Sequence, residues 1–232
     1  MALNRKTGVY SRLLMHKDIL HKRTWRILQA SAVIVLLGIF CVAYRWNRVR
    51  YEREAQREFA GCLKEYTNTL TAQTGHQNWN MIVGLFELGA QKYRNTSLAP
   101  FFIAYQAQAL IKNNQLSEAA VTMDRAVSLL DLSHDFYYVY ALKAALMHLD
   151  LEQESSLPTE KIERMISTLA ENKNNKQRDQ ALYYLGRYCL AKGDNIRARE
   201  ALQQLSAMTS DNPHEKSPWA EQAQYLLKQV IT

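Results

Sequence analysis

Cysteine, proline and glycine are all scarce in this chain of 232 residues, which holds three cysteines, four prolines and eight glycines. Cys41, Cys62 and Cys189 are far apart, and no C-x-x-C or other metal-ligand spacing occurs, so neither a disulfide framework nor a zinc site is indicated. Runs of valine, isoleucine and threonine with two-residue alternation are lacking, which excludes a sheet-based fold. The six histidines, at 16, 21, 76, 134, 148 and 214, are scattered, and His134-Asp135 reads as a loop leading into a helix. No glycine loop suited to phosphate and no nucleophile elbow is present. No catalytic, metal-binding or cofactor-binding residue is therefore expected, and the chain is not read as an enzyme.

One long hydrophobic run is present. Ile27 to Tyr44 carries no charge and a single amide, Gln29. A helix from Trp25 to Trp46 would rise roughly 31 Å, close to the hydrocarbon thickness of a bilayer, and places Trp25, Tyr44 and Trp46 at the two interfaces. A single span must be helical, because only a helix satisfies its own backbone in lipid. A cleaved signal fits poorly, since Cys41-Val42-Ala43-Tyr44 leads into arginine rather than a small-residue cleavage site.

The formal charge of +7 is concentrated ahead of this run. Arg5, Lys6, Arg12, Lys17, Lys22, Arg23 and Arg26 face one acid, Asp18, and the remainder of the chain is close to neutral. Basic residues before a first span are retained in the cytoplasm, so residues 1–26 read as a basic cytoplasmic tail with little regular structure, and the large domain lies outside. No recognisable nucleic-acid-binding module accompanies the tail, and no nucleic acid partner is expected.

Beyond the span, Val49, Ala55, Phe59, Leu63, Tyr66 and Leu70 recur at helical spacing. They predict an amphipathic juxtamembrane helix over 45–75, with Arg50 and Glu54 paired on its exposed face and a turn at Gly75. Residues 76–232 read as helix after helix: Gln77–Tyr93, Leu98–Lys112, Leu116–Leu130, Asp135–Asp150, Thr159–Glu171, Lys176–Ala191, Asp194–Ala207 and Pro218–Ile231. Ser217-Pro218 fits an N-cap followed by proline at the first helical position. Pro100 and Pro158 stand near helix starts, and Pro213 sits in a loop.

Two of the helix pairs share a pattern. Leu182, Leu185, Gly186, Gly193-Asp194 and Ala198 stand at the offsets of a tetratricopeptide unit, and Ala107, Asn114-Gln115, Ala119, Met123 and Ala126 follow the same scheme earlier in the chain. Small residues there let paired helices cross closely. The intervening pair is a degenerate repeat, separated by a longer acidic loop, Asp150-Leu151-Glu152-Gln153-Glu154. The expected fold is all-α: one N-terminal transmembrane helix, then a tetratricopeptide-like right-handed solenoid of helix pairs with a terminal capping helix. The first helix of each pair lines the concave side, which assigns Phe101, Gln108, Tyr183 and Arg187 to a groove suited to polypeptide.

A basic tail, one uncleaved span and an external repeat domain, together with Ala107–Ala120 and Leu185–Asp194, resemble the ancillary subunit family of the bacterial Sec translocon. That resemblance implies an inner-membrane protein with its domain in the periplasm. Its partners would be translocon subunits, periplasmic chaperones and exported polypeptides. The tail here is more basic than that family leads one to expect. A scaffold for another envelope assembly is the alternative of the same class, and a membrane-bound regulator acting through the basic tail is the alternative from another. Oligomeric state is not legible.

Overall fold

The computed structural model describes the backbone of residues 6–72, 78–154, 159–210 and 217–231, and the side chains of these except 6–30, 32, 153, 154, 159, 209, 210 and 229–231. Among the described residues every regular element is a helix: α1 (Lys6–Thr71), α2 (Trp79–Lys92), α3 (Ala99–Lys112), α4 (Leu116–Ser128), α5 (Tyr137–Glu154), α6 (Thr159–Glu171), α7 (Arg178–Ala191), α8 (Asn195–Ser210) and α9 (Pro218–Ile231). The chain forms two units, Met1–Glu54 and Ala55–Thr232.

In the first unit the backbone is helical from Lys6, where the sequence pattern suggested little regularity. The expected ion pair is present, with Arg50 Nε 3.1 Å from Glu54 Oε1. Val33 to Tyr44 present an apolar surface all round the helix, with Phe40 69% exposed, and Trp46, beyond Arg45, is 75% exposed. Among the described residues no helix is long and apolar enough to cross a membrane. The side chains of Trp25, Ile27–Ala30 and Ala32, which the expected span 27–44 and its interface need, lie outside the described residues, as do Gly75, Pro158 and Pro213.

The second unit takes in the end of α1, so the residues from Ala55 pair with α2 as a helical hairpin. Phe59 and Tyr66 of α1 meet Phe86 of α2 edge-on, each with ring centroids 6.2 Å apart. Asn78 caps α2 by accepting from the Met81 amide at 3.1 Å, which satisfies one of the free donors at the helix start. The pairs α3/α4, α5/α6 and α7/α8 follow, and α9 closes the unit. As expected, α9 starts at Pro218, with Ser217 Oγ accepting from the Trp219 amide at 3.2 Å.

The α3/α4 and α7/α8 hairpins turn in the same way, and their sequences say why. Gly193 sits at φ +78° and Asn114 at φ +60°, the left-handed region that glycine and asparagine tolerate best. In each, the next amide reaches back across the helix end: Gln115 N–H to Leu110 O and Asp194 N–H to Cys189 O, both at 2.9 Å. This is the hydrogen bond by which such a turn satisfies terminal carbonyls. Asp194 then caps α8 by accepting from the Arg197 amide at 3.1 Å.

The middle hairpin corrects one expectation. Asp150–Glu154 is not a loop; α5 continues through Glu154. Leucine, glutamate and glutamine are good helix formers, and acidity alone does not end a helix. Glu152 is held by Lys192, the residue just past the end of α7, Nζ to Oε1 2.8 Å.

The two rows of helices are joined differently. First helices meet mainly through aromatic rings, Phe59 with Tyr105 (α1/α3, 5.5 Å), Phe101 with Tyr140 (α3/α5, 6.0 Å) and Tyr183 with Trp219 (α7/α9, 5.0 Å), while α5 meets the end of α7 through Glu152 and Lys192. Second helices meet through ion pairs, Asp124 with Lys161 (α4/α6, 3.9 Å) and Glu163 with Arg197 (α6/α8). Between the rows lies the core, in which Phe86, Phe102, Ile103, Met123, Ile166, Leu202 and Leu205 are buried. Each such side chain contributes about 1.5–3 kcal/mol by leaving water.

Candidate protein-docking face

The small residues expected at helix crossings are where the pairs approach. Ala107, Ala119, Ala126 and Ala198 are fully buried, and Leu185 is partly buried. A Cβ placed on Gly186 would stand 2.7 Å from Leu202 of α8, so only glycine fits that crossing. Gly193 serves the turn instead.

Ala107, Ala145 and Gly186 occupy the same place in α3, α5 and α7, and counting from them gives the outward stripe of each first helix. Two residues earlier stand Tyr105, Lys143 and Tyr184; one residue later, Gln108, Leu146 and Arg187; six residues earlier, Phe101, Val139 and Gln180. All nine are exposed or partly buried, whereas Ala104, Leu142 and Tyr183, three residues before the small positions, are buried. Three repeats thus offer a continuous face with a Tyr-Lys-Tyr row through it.

The residues expected in a groove divide on this register. Phe101 and Gln108 lie on the face; Phe101 is edge-on to Phe136 at 5.4 Å and near His134 at 5.8 Å. Arg187 is exposed, with its guanidinium 5.9 Å from the Tyr183 ring. Tyr183 itself is only 8% exposed and packs against Trp219 of α9. The outward position belongs to its neighbour Tyr184. The Phe101 and Tyr183 clusters are separate, the first against α5 and the second against α9. Tyr105, Lys143 and Tyr184 lie outside the groove set expected from sequence, although the spacing Ala107, Ala145, Gly186 carries the signal.

Burial sets the electrostatics. Lys143 Nζ lies 5.9 Å from the centroid of Tyr140, and burial alone pushes its pKa below the ordinary lysine value. The Tyr140 hydroxyl is pushed up to about 12, chiefly by burial and secondarily by Tyr105. The neutral phenol is therefore strongly preferred.

On the other side of the unit a cleft of about 650 Å³ opens between α4 and α6 over α5, lined by Val127, Tyr137, Ala141, Met165 and Leu169 with Asp124 and Arg164 at its edges. Beside it, His148 Nε2 lies 2.9 Å from Asp124 Oδ2. Cys41 is exposed, while Cys62 and Cys189 are buried free thiols whose pKa values burial raises. Among the described residues no group of His, Cys, Asp and Glu is disposed to hold a metal ion. His76 and His214 lie outside the described residues.

This is a helical-repeat architecture of the tetratricopeptide-like kind. It is similar to a putative kinesin light chain with nearly identical TPR-like repeats from Podosopora anserina, at a TM-score of 0.56 and 16% identity, over 76% of this chain and 86% of that one. A point-substituted form of that protein gives a TM-score of 0.57 at 16% identity, over 76% and 85%. A tetratricopeptide repeat protein from Parabacteroides merdae ATCC 43184 gives a TM-score of 0.54 at 15% identity, over 75% of this chain and 60% of that chain. At these identities the likeness establishes the fold. Neither a protein-family model nor a curated protein sequence matches the chain.

Proposed function

We propose that the chain is a membrane-anchored docking protein that holds polypeptide partners on the outward face of its first helices. The observation that carries this reading is the Tyr105-Lys143-Tyr184 row, with Phe101, Gln108 and Arg187 around it. Tyrosine offers a large contact area with few rotors to immobilise, and stacked helix pairs present it over a length suited to an extended or helical segment. No catalytic step is assigned. The repeats are taken as a right-handed solenoid.

Residues 27–44 serve as the anchor, with Trp25, Tyr44 and Trp46 at its interfaces, the tail 1–26 in the cytoplasm and the repeat unit in the periplasm. The continuous apolar surface of Val33–Tyr44 supports this, since exposed apolar area on that scale marks contact with lipid or protein. Beside the Sec translocon of a bacterial inner membrane, such an anchor would raise the effective concentration of a weak docking face near emerging chains and periplasmic chaperones.

The test is photo-crosslinking from Gln108 and Tyr184 in intact membranes. Adducts with exported polypeptides, chaperones or channel subunits are expected. Adducts confined to subunits of another envelope assembly would replace the translocon reading. Ser133→Cys in a background without other cysteines, labelled in spheroplasts by a membrane-impermeant maleimide, checks the orientation: a thiol that reacts only after lysis overturns it.

A further inference from the structure

We infer that the docking face recognises a carboxylate side chain, aspartate or glutamate, in a polypeptide partner, and that Lys143 is the residue that reads it. The inference rests on the docking reading above and names the chemistry of its occupant.

Lys143 lies mid-face, between Tyr105 and Tyr184 in the matching positions of the neighbouring repeats. No carboxylate among the described residues pairs with it, and the Tyr140 ring is its cationic contact. Other lysines of the unit differ: Lys92 is paired with Glu58, Lys161 with Asp124, Lys176 with Asp135 and Lys192 with Glu152. Helix α3, which forms one wall, has no acidic residue along its length. Arg187 adds a second cation on the next repeat. A partly buried ammonium without a counter-ion is held at a cost in desolvation, which an incoming carboxylate reverses and a neutral amide does not. The aromatic neighbours keep water from the pair, and a charge-assisted hydrogen bond formed there is stronger than one in open solvent.

The occupant is a polypeptide side chain because the cation is flanked by aromatic and apolar positions, Tyr105, Leu146 and Tyr184. These suit neighbouring residues of a peptide and leave a free small anion little to bind.

The test uses the full chain in detergent micelles and two degenerate nonapeptide libraries, with Asp or Asn at the centre and Leu, Phe, Ser or Gly elsewhere. Retention of the Asp library by the wild type is expected to exceed that of the Asn library roughly tenfold, the worth of about 1.4 kcal/mol, and to fall with added salt. Lys143→Met keeps the apolar stem and loses the charge. It should retain both libraries equally and melt no lower than wild type, so loss of discrimination is not loss of fold. Arg187→Gln should keep most of the discrimination. Equal retention of both libraries by the wild type would overturn the carboxylate inference and leave the docking reading standing. Retention of neither would overturn both. Discrimination that survives Lys143→Met would show that another residue reads the charge.

Discussion

Gly84 and Gly89 lie on one helix and should respond to the same substitution with opposite signs. A Cβ on Gly89 would stand 2.3 Å from Cε1 of Phe102, far inside van der Waals contact, whereas one on Gly84 meets nothing within 4 Å. The Phe102 ring cannot swing aside. It is fully buried, edge-on to Phe59 at 4.9 Å and stacked on Tyr93 at 5.9 Å. Glycine to alanine in a helix interior gains about 1 kcal/mol of helix propensity. Forcing a methyl into a filled core costs about 1–3 kcal/mol. Gly84→Ala should therefore stabilise by up to about 1 kcal/mol, and Gly89→Ala should be destabilising by up to about 2 kcal/mol. For a unit of this size each kcal/mol moves the melting temperature by about 2–4 °C. Urea titration of the full chain in micelles, followed by circular dichroism, measures both. Adding Phe102→Leu to Gly89→Ala should recover part of the loss. A Gly89→Ala protein as stable as Gly84→Ala would refute the claim that this glycine is there for close approach.

The turns, the buried pairs and the tyrosines can be tested in the same way. Gly193→Ala places a side chain at φ +78° and should cost about 1 kcal/mol in the same titration, while Gly193→Asn should cost less, because Asn114 already fills the equivalent turn. His148→Ala removes a buried ring and its contact to Asp124 at 2.9 Å and should cost about 2 kcal/mol. Lys161→Met, whose 3.9 Å contact to Asp124 is exposed, should change stability by less than about 0.5 kcal/mol. Tyr140 and Tyr188 both have their pKa raised by burial to about 12, above the ordinary 10. The stability they contribute is whole below pH 10 and is lost as pH rises towards 12. Tyrosinate absorbance should show two late-titrating phenols, and Tyr140→Phe should remove one.

The helices were legible because the signals that end them are local. Pro218 after Ser217, Asn114 and Gly193 each act within one turn of chain, so α3, α4, α7 and α9 fall within two residues of their expected limits. The acidic residues at the end of α5 suggest a loop in sequence, whereas propensity and Lys192, just past α7, keep Asp150–Glu154 helical. The docking face was half legible for a related reason. Phe101, Gln108 and Arg187 follow from helical period alone. Distinguishing Tyr183 from Tyr184 requires the cover that α9 supplies: the Trp219 ring lies near both, at 5.0 and 5.7 Å, yet only Tyr183 is buried. No spacing within α7 encodes that cover. Lys143 is hidden in the sequence because the middle pair departs from the repeat pattern, although its Ala145 keeps the register.

The difference between the two rows of helices bears on where a partner would bind. Ion pairs such as Asp124 with Lys161 sit in solvent, contribute little net energy and already satisfy the charges they use. A partner approaching the second helices would have to displace them. The first helices are joined by rings that pack with one face and stay partly exposed on the other, so the same Phe101 and Tyr105 that link α1, α3 and α5 also offer unspent apolar surface. Of the cations on the outward stripe, Lys143 is partly buried and has no carboxylate partner among the described residues; Arg178 of α7 is also partly buried but is taken up by Ala170 O and Met208 Sδ. Packing and recognition therefore draw on one set of side chains there. Truncating Tyr105 should weaken both, whereas changing Lys143 should touch recognition alone.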